Sequence, residues 1–257
     1  MVNGVFAAEL ALYLPLFPLV AYNFWTHRWS GFLGWYYLAA FCGLRIASGG
    51  VGVGHGDSLV ASILIGIGTS PLILAVDGLV HEARTHRNPN PDPSTKGLGY
   101  GITLAISGLM GAAIGLTVTG AMAIYKNEAK PSSMTHWKAG AALMVVAWVL
   151  VVLWTAFSLL PSQAKRGGDA PMAREGTMLL YGLLISLVFI GIRVVYALVA
   201  TATQRRDLSP VYGTTAVRVV LMFLPEAIAT IVIVATGFMT RKKPIKYTTV
   251  EQDVIHA

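Results

Sequence analysis

Seven apolar stretches, each about the length that crosses a bilayer, take up nearly the whole of this 257-residue chain. A helix needs roughly 20 mostly apolar residues to cover a hydrocarbon core of about 30 Å. The stretches are Val5–Tyr22, Gly31–Val53, Leu59–Val80, Leu98–Tyr125, Ala139–Leu160, Gly176–Ala202 and Gly213–Phe238. A backbone in lipid must satisfy its own hydrogen bonds, which helices do within one segment. The pattern therefore predicts an all-α, multi-pass seven-transmembrane-helix bundle over residues 1–238, built as a single domain. A short basic tail over 239–257 follows it.

Charged residues make up 12% of the chain, about half the share usual in soluble domains, which leaves no polar block for a separate soluble domain. The net charge of +7 sits in the connections between spans, where it reports topology. Nucleic acid is therefore not an expected partner; the lipid bilayer is. Met1–Gly4 has no basic side chain and no cleavage site follows, so the first span is read as retained and not as a signal peptide. The only cysteine, Cys42, falls within the second span, so no disulfide or thiolate metal site is expected.

Basic residues are unequally shared between the two sets of connections. One set holds Arg28, Arg84, Arg87, Lys96, Lys165, Arg166, Arg174, Arg241, Lys242, Lys243 and Lys246; the other holds Lys126, Lys130, Lys138, Arg205 and Arg206. The positive-inside rule then predicts a luminal or outside N-terminus and a cytosolic C-terminus. Trp25, Trp29, Trp35, Tyr36 and Tyr37 around the first turn are expected to anchor at headgroup level. The third connection, His81–Lys96, carries three alternating prolines at 89, 91 and 93 and reads as an extended loop with Glu82, Arg84 and Arg87 solvated. In the fourth span Gly111 and Gly115 form a GxxxG, expected to let a neighbouring helix approach closely. Gly49–Gly56 resembles a nucleotide-binding loop only superficially, because no strand precedes it.

Ionisable groups inside spans are costly and so mark candidate sites. Counting about 1.5 Å per residue along each helix puts Glu9, Arg45, Arg193, Tyr196, Arg218 and Glu226 in one layer on the luminal side of the bilayer centre. Asp77 falls at the cytosolic end of its span. Arg193 and Tyr196, three apart, share a helix face, and Pro225 should bend the seventh span beside Glu226. Glu9 and Glu226 would pair with Arg45 and Arg193. Such pairs can serve only as internal ties between helices. They can also form a polar pocket for a lipophilic substrate, with Glu226 the favoured catalytic acid and Glu9 the second. Arg45, Arg193, Tyr196 and Arg218 would then bind and orient an oxygen of that substrate. No lysine lies in the seventh span, the six histidines are scattered, and no Asp-rich or His/Asp/Glu spacing suggests a metal, so no cofactor is expected.

Gly43-Leu44-Arg45-Ile46, Gly66-Ile67-Gly68-Thr69-Ser70-Pro71-Leu72, Arg193-Val194-Val195-Tyr196 and Pro225-Glu226 resemble a group of fungal seven-span integral membrane proteins. Similar architectures occur in fungal secondary metabolism, where some small membrane proteins cyclise terpenoids. The resemblance implies a metal-independent terpene cyclase or isomerase that protonates an isoprenoid epoxide, in the endoplasmic reticulum or another endomembrane. The Trp-Glu of seven-span meroterpenoid cyclases is absent here, so no residue is carried over from them. A transporter or sensor of small amphiphiles, and a non-catalytic membrane scaffold, are the alternatives.

Overall fold

A computed structural model describes residues 4–27, 31–54, 59–89, 92–125, 131–163, 172–210 and 213–241. Arg28, Trp29, the tail beyond Arg241 and most of the lysines counted for topology lie outside the described residues. Among those described, the chain is all-helical: α1 (Gly4–His27), α2 (Phe32–Gly54), α3 (Leu59–Ile67), α4 (Thr69–Arg87), α5 (Pro93–Tyr125), α6 (Pro131–Ser158), α7 (Ala173–Thr203), α8 (Thr215–Arg218) and α9 (Leu224–Thr240). α3 and α4 form one span broken at Gly68, and α8 and α9 form another, joined by a π-helical turn over Val219–Phe223. Seven helical segments are long and apolar enough to cross a membrane, matching the expected number and order.

The hub of the bundle is α4, whose residues from Leu72 to Val80 are all buried. A helix apolar on every side needs neighbours on every side, and α2, α5, α6 and α7 supply them. Packing replaces the hydrophobic effect in lipid, so backbones must come close. α2 and α4 cross at Gly34 and Gly78, where a Cβ on Gly78 would stand 2.5 Å from the Gly34 nitrogen. α5 and α6 meet at Gly120 and Gly140, where a Cβ would come within 2.8 Å of the opposing backbone in either direction.

The GxxxG expectation is corrected by that arrangement. Nothing lies within 4 Å of a Cβ placed on Gly111 or Gly115, and both are exposed on the outer face of α5. Helix approach is carried instead by single glycines whose partners are a helix away.

The third connection is also shorter and drier than expected. α4 continues to Arg87 and α5 starts at Pro93, so the predicted loop shrinks to residues 88–92. A proline is tolerated in a helix's first turn, where its missing N–H has no partner to lose. Asn88 is extended, as the residue before a proline prefers. Glu82 and Arg87, read from sequence as solvated, are buried, and so is His86 between them. Arg87 explains its own burial: it donates to the carbonyls of Ser158, Leu159 and Leu160, closing the C-terminal end of α6. Those carbonyls have no donor within their helix, and a cation at that end is favoured by the helix dipole. Arg84 lies alongside, donating to Ser158 Oγ at 3.0 Å with its guanidinium 4.2 Å from the Trp154 ring.

The aromatic set divides. Trp25 and Tyr36 are exposed, as anchors would be, whereas Trp35 is fully buried.

Candidate functional site

Two breaks in helical regularity build the main polar cluster. At Gly68 the third span interrupts its hydrogen-bond ladder. The interruption leaves the carbonyl of Ile65 to accept from Arg193 Nη2 at 3.3 Å and turns the hydroxyl of Thr69 inward. Gly68 also gives room: a Cβ there would lie 2.7 Å from Arg45 Nη2. In the last span Leu224 donates to Val219, five residues back, just before Pro225, which has no N–H to give. That wide turn sets Glu226 in the first turn of α9, facing the break in the third span.

One oxygen, Glu226 Oε1, accepts three hydrogen bonds: from Arg45 Nη2 at 2.5 Å, Arg193 Nε at 2.9 Å and Thr69 Oγ1 at 2.9 Å. Four helices, α2, α4, α7 and α9, are tied through a single atom. Glu9, on α1, stands differently. Its ion-pair contact is Arg45 Nη1 at 3.8 Å, and neither carboxylate oxygen has a hydrogen-bond partner among the described residues, although the residue is only 1% exposed. Arg45 Nη1 and Nε, Arg193 Nη1 and the Tyr13 hydroxyl are likewise buried without a hydrogen bond among the described residues. An unsatisfied buried polar group costs about 1–3 kcal/mol, so these atoms call for ordered water or another polar group among them.

All six residues singled out from the sequence are buried, and four of them, Glu9, Arg45, Arg193 and Glu226, form one charge network. Arg218 is set over the Phe6 ring at 5.2 Å. Tyr196 gives its hydroxyl proton to the Leu208 carbonyl at 2.9 Å and packs its ring 5.6 Å from the Arg193 guanidinium. The pairing of carboxylates with arginines is as expected, but the division of labour is not. Glu226, expected as the leading acid, is placed as the acceptor on which two arginines converge, while Glu9 keeps only the longer contact to Arg45. The two arginines and two carboxylates of the network are the set the sequence suggested, with Arg218 set apart over Phe6.

A second buried cluster lies at the other end of the bundle, and sequence reasoning missed it. Glu82 Oε1 meets His27 Nδ1 at 2.6 Å, Trp35 Nε1 donates to Glu82 Oε2 at 3.2 Å, and His86 Nε2 lies 3.8 Å from Glu82 Oε1. The other ring nitrogen of His27 meets the Gly237 carbonyl at 3.0 Å, and Asn23 donates to the Val234 carbonyl at 3.1 Å. Because α4 extends to Arg87, Asp77 is displaced from the end of its span to near its middle, where it is buried. Among the described residues, no three His, Cys, Asp or Glu side chains converge as a metal site would require.

Fold and cluster together define a multi-pass membrane protein with an arginine–glutamate network buried within its helices. The chain belongs to the family described as a domain of unknown function (DUF7702), which matches residues 1–243. No curated protein and no solved structure is matched.

Proposed function

We propose that this protein is a membrane-embedded acid–base catalyst, a terpene cyclase or isomerase acting on a lipophilic isoprenoid epoxide in fungal secondary metabolism. One observation carries the reading: Glu9 is a buried carboxyl group in an ion pair with Arg45 but with no hydrogen bond to either oxygen among the described residues, beside arginine N–H groups and a tyrosine hydroxyl that also lack hydrogen bonds there. Such a set would hold an oxygen-bearing group in place of solvent. Arg45 and Arg193 would orient the oxygen, and protonated Glu9 would give it a proton. The epoxide C–O bond then breaks as a chain alkene closes onto the carbon, and the proton lost from the resulting cation returns to Glu9. The product is an isomer of the substrate, so no co-reactant is needed. Glu226 serves as the fixed counter-charge that keeps both guanidinium groups in position. An endomembrane setting with a luminal N-terminus goes with this reading; the Lys/Arg imbalance between connections supports that orientation.

The test compares microsomes carrying wild type, Glu9→Gln and Glu226→Gln, fed an epoxidised isoprenoid quinol or phenol. Glu9→Gln should fold normally and lose conversion by at least about a hundredfold, the usual scale for removing a general acid. Normal turnover by Glu9→Gln would overturn the reading.

Transport of a small amphiphile is a second reading, favoured by the depth of the buried acids. Glu9 lies near the start of its span, Asp77 near the middle of its own and Glu82 toward the end of the same helix, and a carrier needs polar groups along its path. Gradient-dependent flux in proteoliposomes, with no chemical conversion, would select it.

A further inference from the structure

At the end of the bundle where Arg87 closes α6, a cavity of about 230 Å³ opens between the last turns of α4 and the first turn of α5. His81 and Arg84 form its α4 wall, Thr95 and Lys96 its α5 wall, and Asn88 its floor in the short connection. Arg84 is fixed by Ser158 Oγ and the Trp154 ring, so a charge at this wall is set in place before anything binds. The lining also includes the start of a 33-residue helix, whose N-terminal end favours anions. Among the described residues lining it there is no carboxylate; Asp92 is exposed on the preceding turn.

From this we infer a binding site for a phosphate-bearing anion, and specifically for the headgroup of an anionic phospholipid. The volume is below the roughly 300–1,000 Å³ of pockets for drug-sized ligands, which suits a small charged group. Basic pockets between membrane helices recognise lipid headgroups by this chemistry. The outer face of α5 supplies the other half of the argument. Leu98, Tyr100 and Leu104 are exposed there, and a Cβ on Gly101, Gly108 or Gly111 would meet nothing, so the face of α5 that continues from the cavity is apolar and uncovered within the chain. An acyl chain whose phosphate sat between Arg84 and Lys96 would lie along that face. A free phosphate would make no use of it.

The full chain in neutral detergent is titrated with dioctanoyl phosphatidic acid, dioctanoyl phosphatidylcholine and inorganic phosphate, and binding is followed by calorimetry. Phosphatidic acid should bind, with phosphatidylcholine and inorganic phosphate much weaker. Lys96→Gln, at an exposed position, should weaken phosphatidic acid by about fivefold, one basic residue's share of headgroup attraction. Changing Lys242, Lys243 and Lys246 to Gln should leave its affinity unaltered. Equal affinity for phosphatidylcholine, or phosphatidic acid binding that ignores Lys96→Gln and depends on the tail lysines, would overturn the site. Inorganic phosphate binding as tightly as phosphatidic acid would overturn the lipid as its occupant.

Discussion

Arg45 and Glu226, 181 positions apart in the chain, meet at 2.5 Å, and Arg193 reaches the same carboxylate oxygen from the opposite helix. Taking charges out of water is expensive, and their mutual attraction repays the cost only when geometry and additional hydrogen bonds are good. Here Thr69 and the Ile65 carbonyl provide those bonds. Removing the shared carboxylate leaves two buried guanidinium groups without their common partner. Glu226→Ala should destabilise the fold by about 3–5 kcal/mol, the usual cost of breaking a buried pair. Glu226→Gln should cost less, because the amide oxygen still accepts. Thermal unfolding in detergent ranks the two.

Gly68 makes room for that network, since a Cβ there would press on the Arg45 guanidinium. Gly68→Ala should cost about 1–3 kcal/mol, as overpacking of a filled interior does. Adding Arg45→Lys, with a slimmer head, should recover part of the loss. A double-mutant cycle on unfolding free energies measures the coupling.

Glycines on two faces should respond oppositely to alanine. Gly78→Ala drives a methyl group into the backbone of α2 and should destabilise strongly or block insertion. Gly111→Ala and Gly115→Ala meet nothing within the chain. They should leave stability unchanged or raise it by up to about 1 kcal/mol through helix propensity. Melting temperatures of purified protein decide between these outcomes.

At the opposite end, Trp35→Phe keeps the ring in the core and removes the donor to Glu82. The expected loss is about 1–3 kcal/mol, the price of leaving a buried acceptor one bond short. Glu82→Ala should cost more, since His27 loses its partner as well. Unfolding of the two variants should preserve that order.

Arg87 closes the carbonyl end of α6, and its fork serves more than one acceptor. Arg87→Lys keeps the charge but not the fork, so it should recover only part of the stability lost in Arg87→Ala. If the charge alone mattered, the two variants would differ by the whole dipole contribution of up to about 2 kcal/mol. Hydrogen exchange at the last turn of α6 reports the local effect.

Membrane class and helix number were legible because transfer of a segment into lipid depends on its own composition. The relative depths of Glu9, Arg45, Arg193 and Glu226 were legible too, since helical rise is constant, and these four do meet; Asp77 was misplaced because its helix runs on to Arg87. What the sequence by itself determined was which groups share a level in the bundle. Which of them touch was decided by tertiary packing: the break at Gly68 and the wide turn before Pro225 rotate Thr69 and Glu226 toward one another. For the same reason Glu82 reads as a solvated loop charge until α1 and α2 bring His27 and Trp35 against it, 55 and 47 residues away. A buried charge is tolerated only through its partners, and those partners are set by helix crossings that no local window contains.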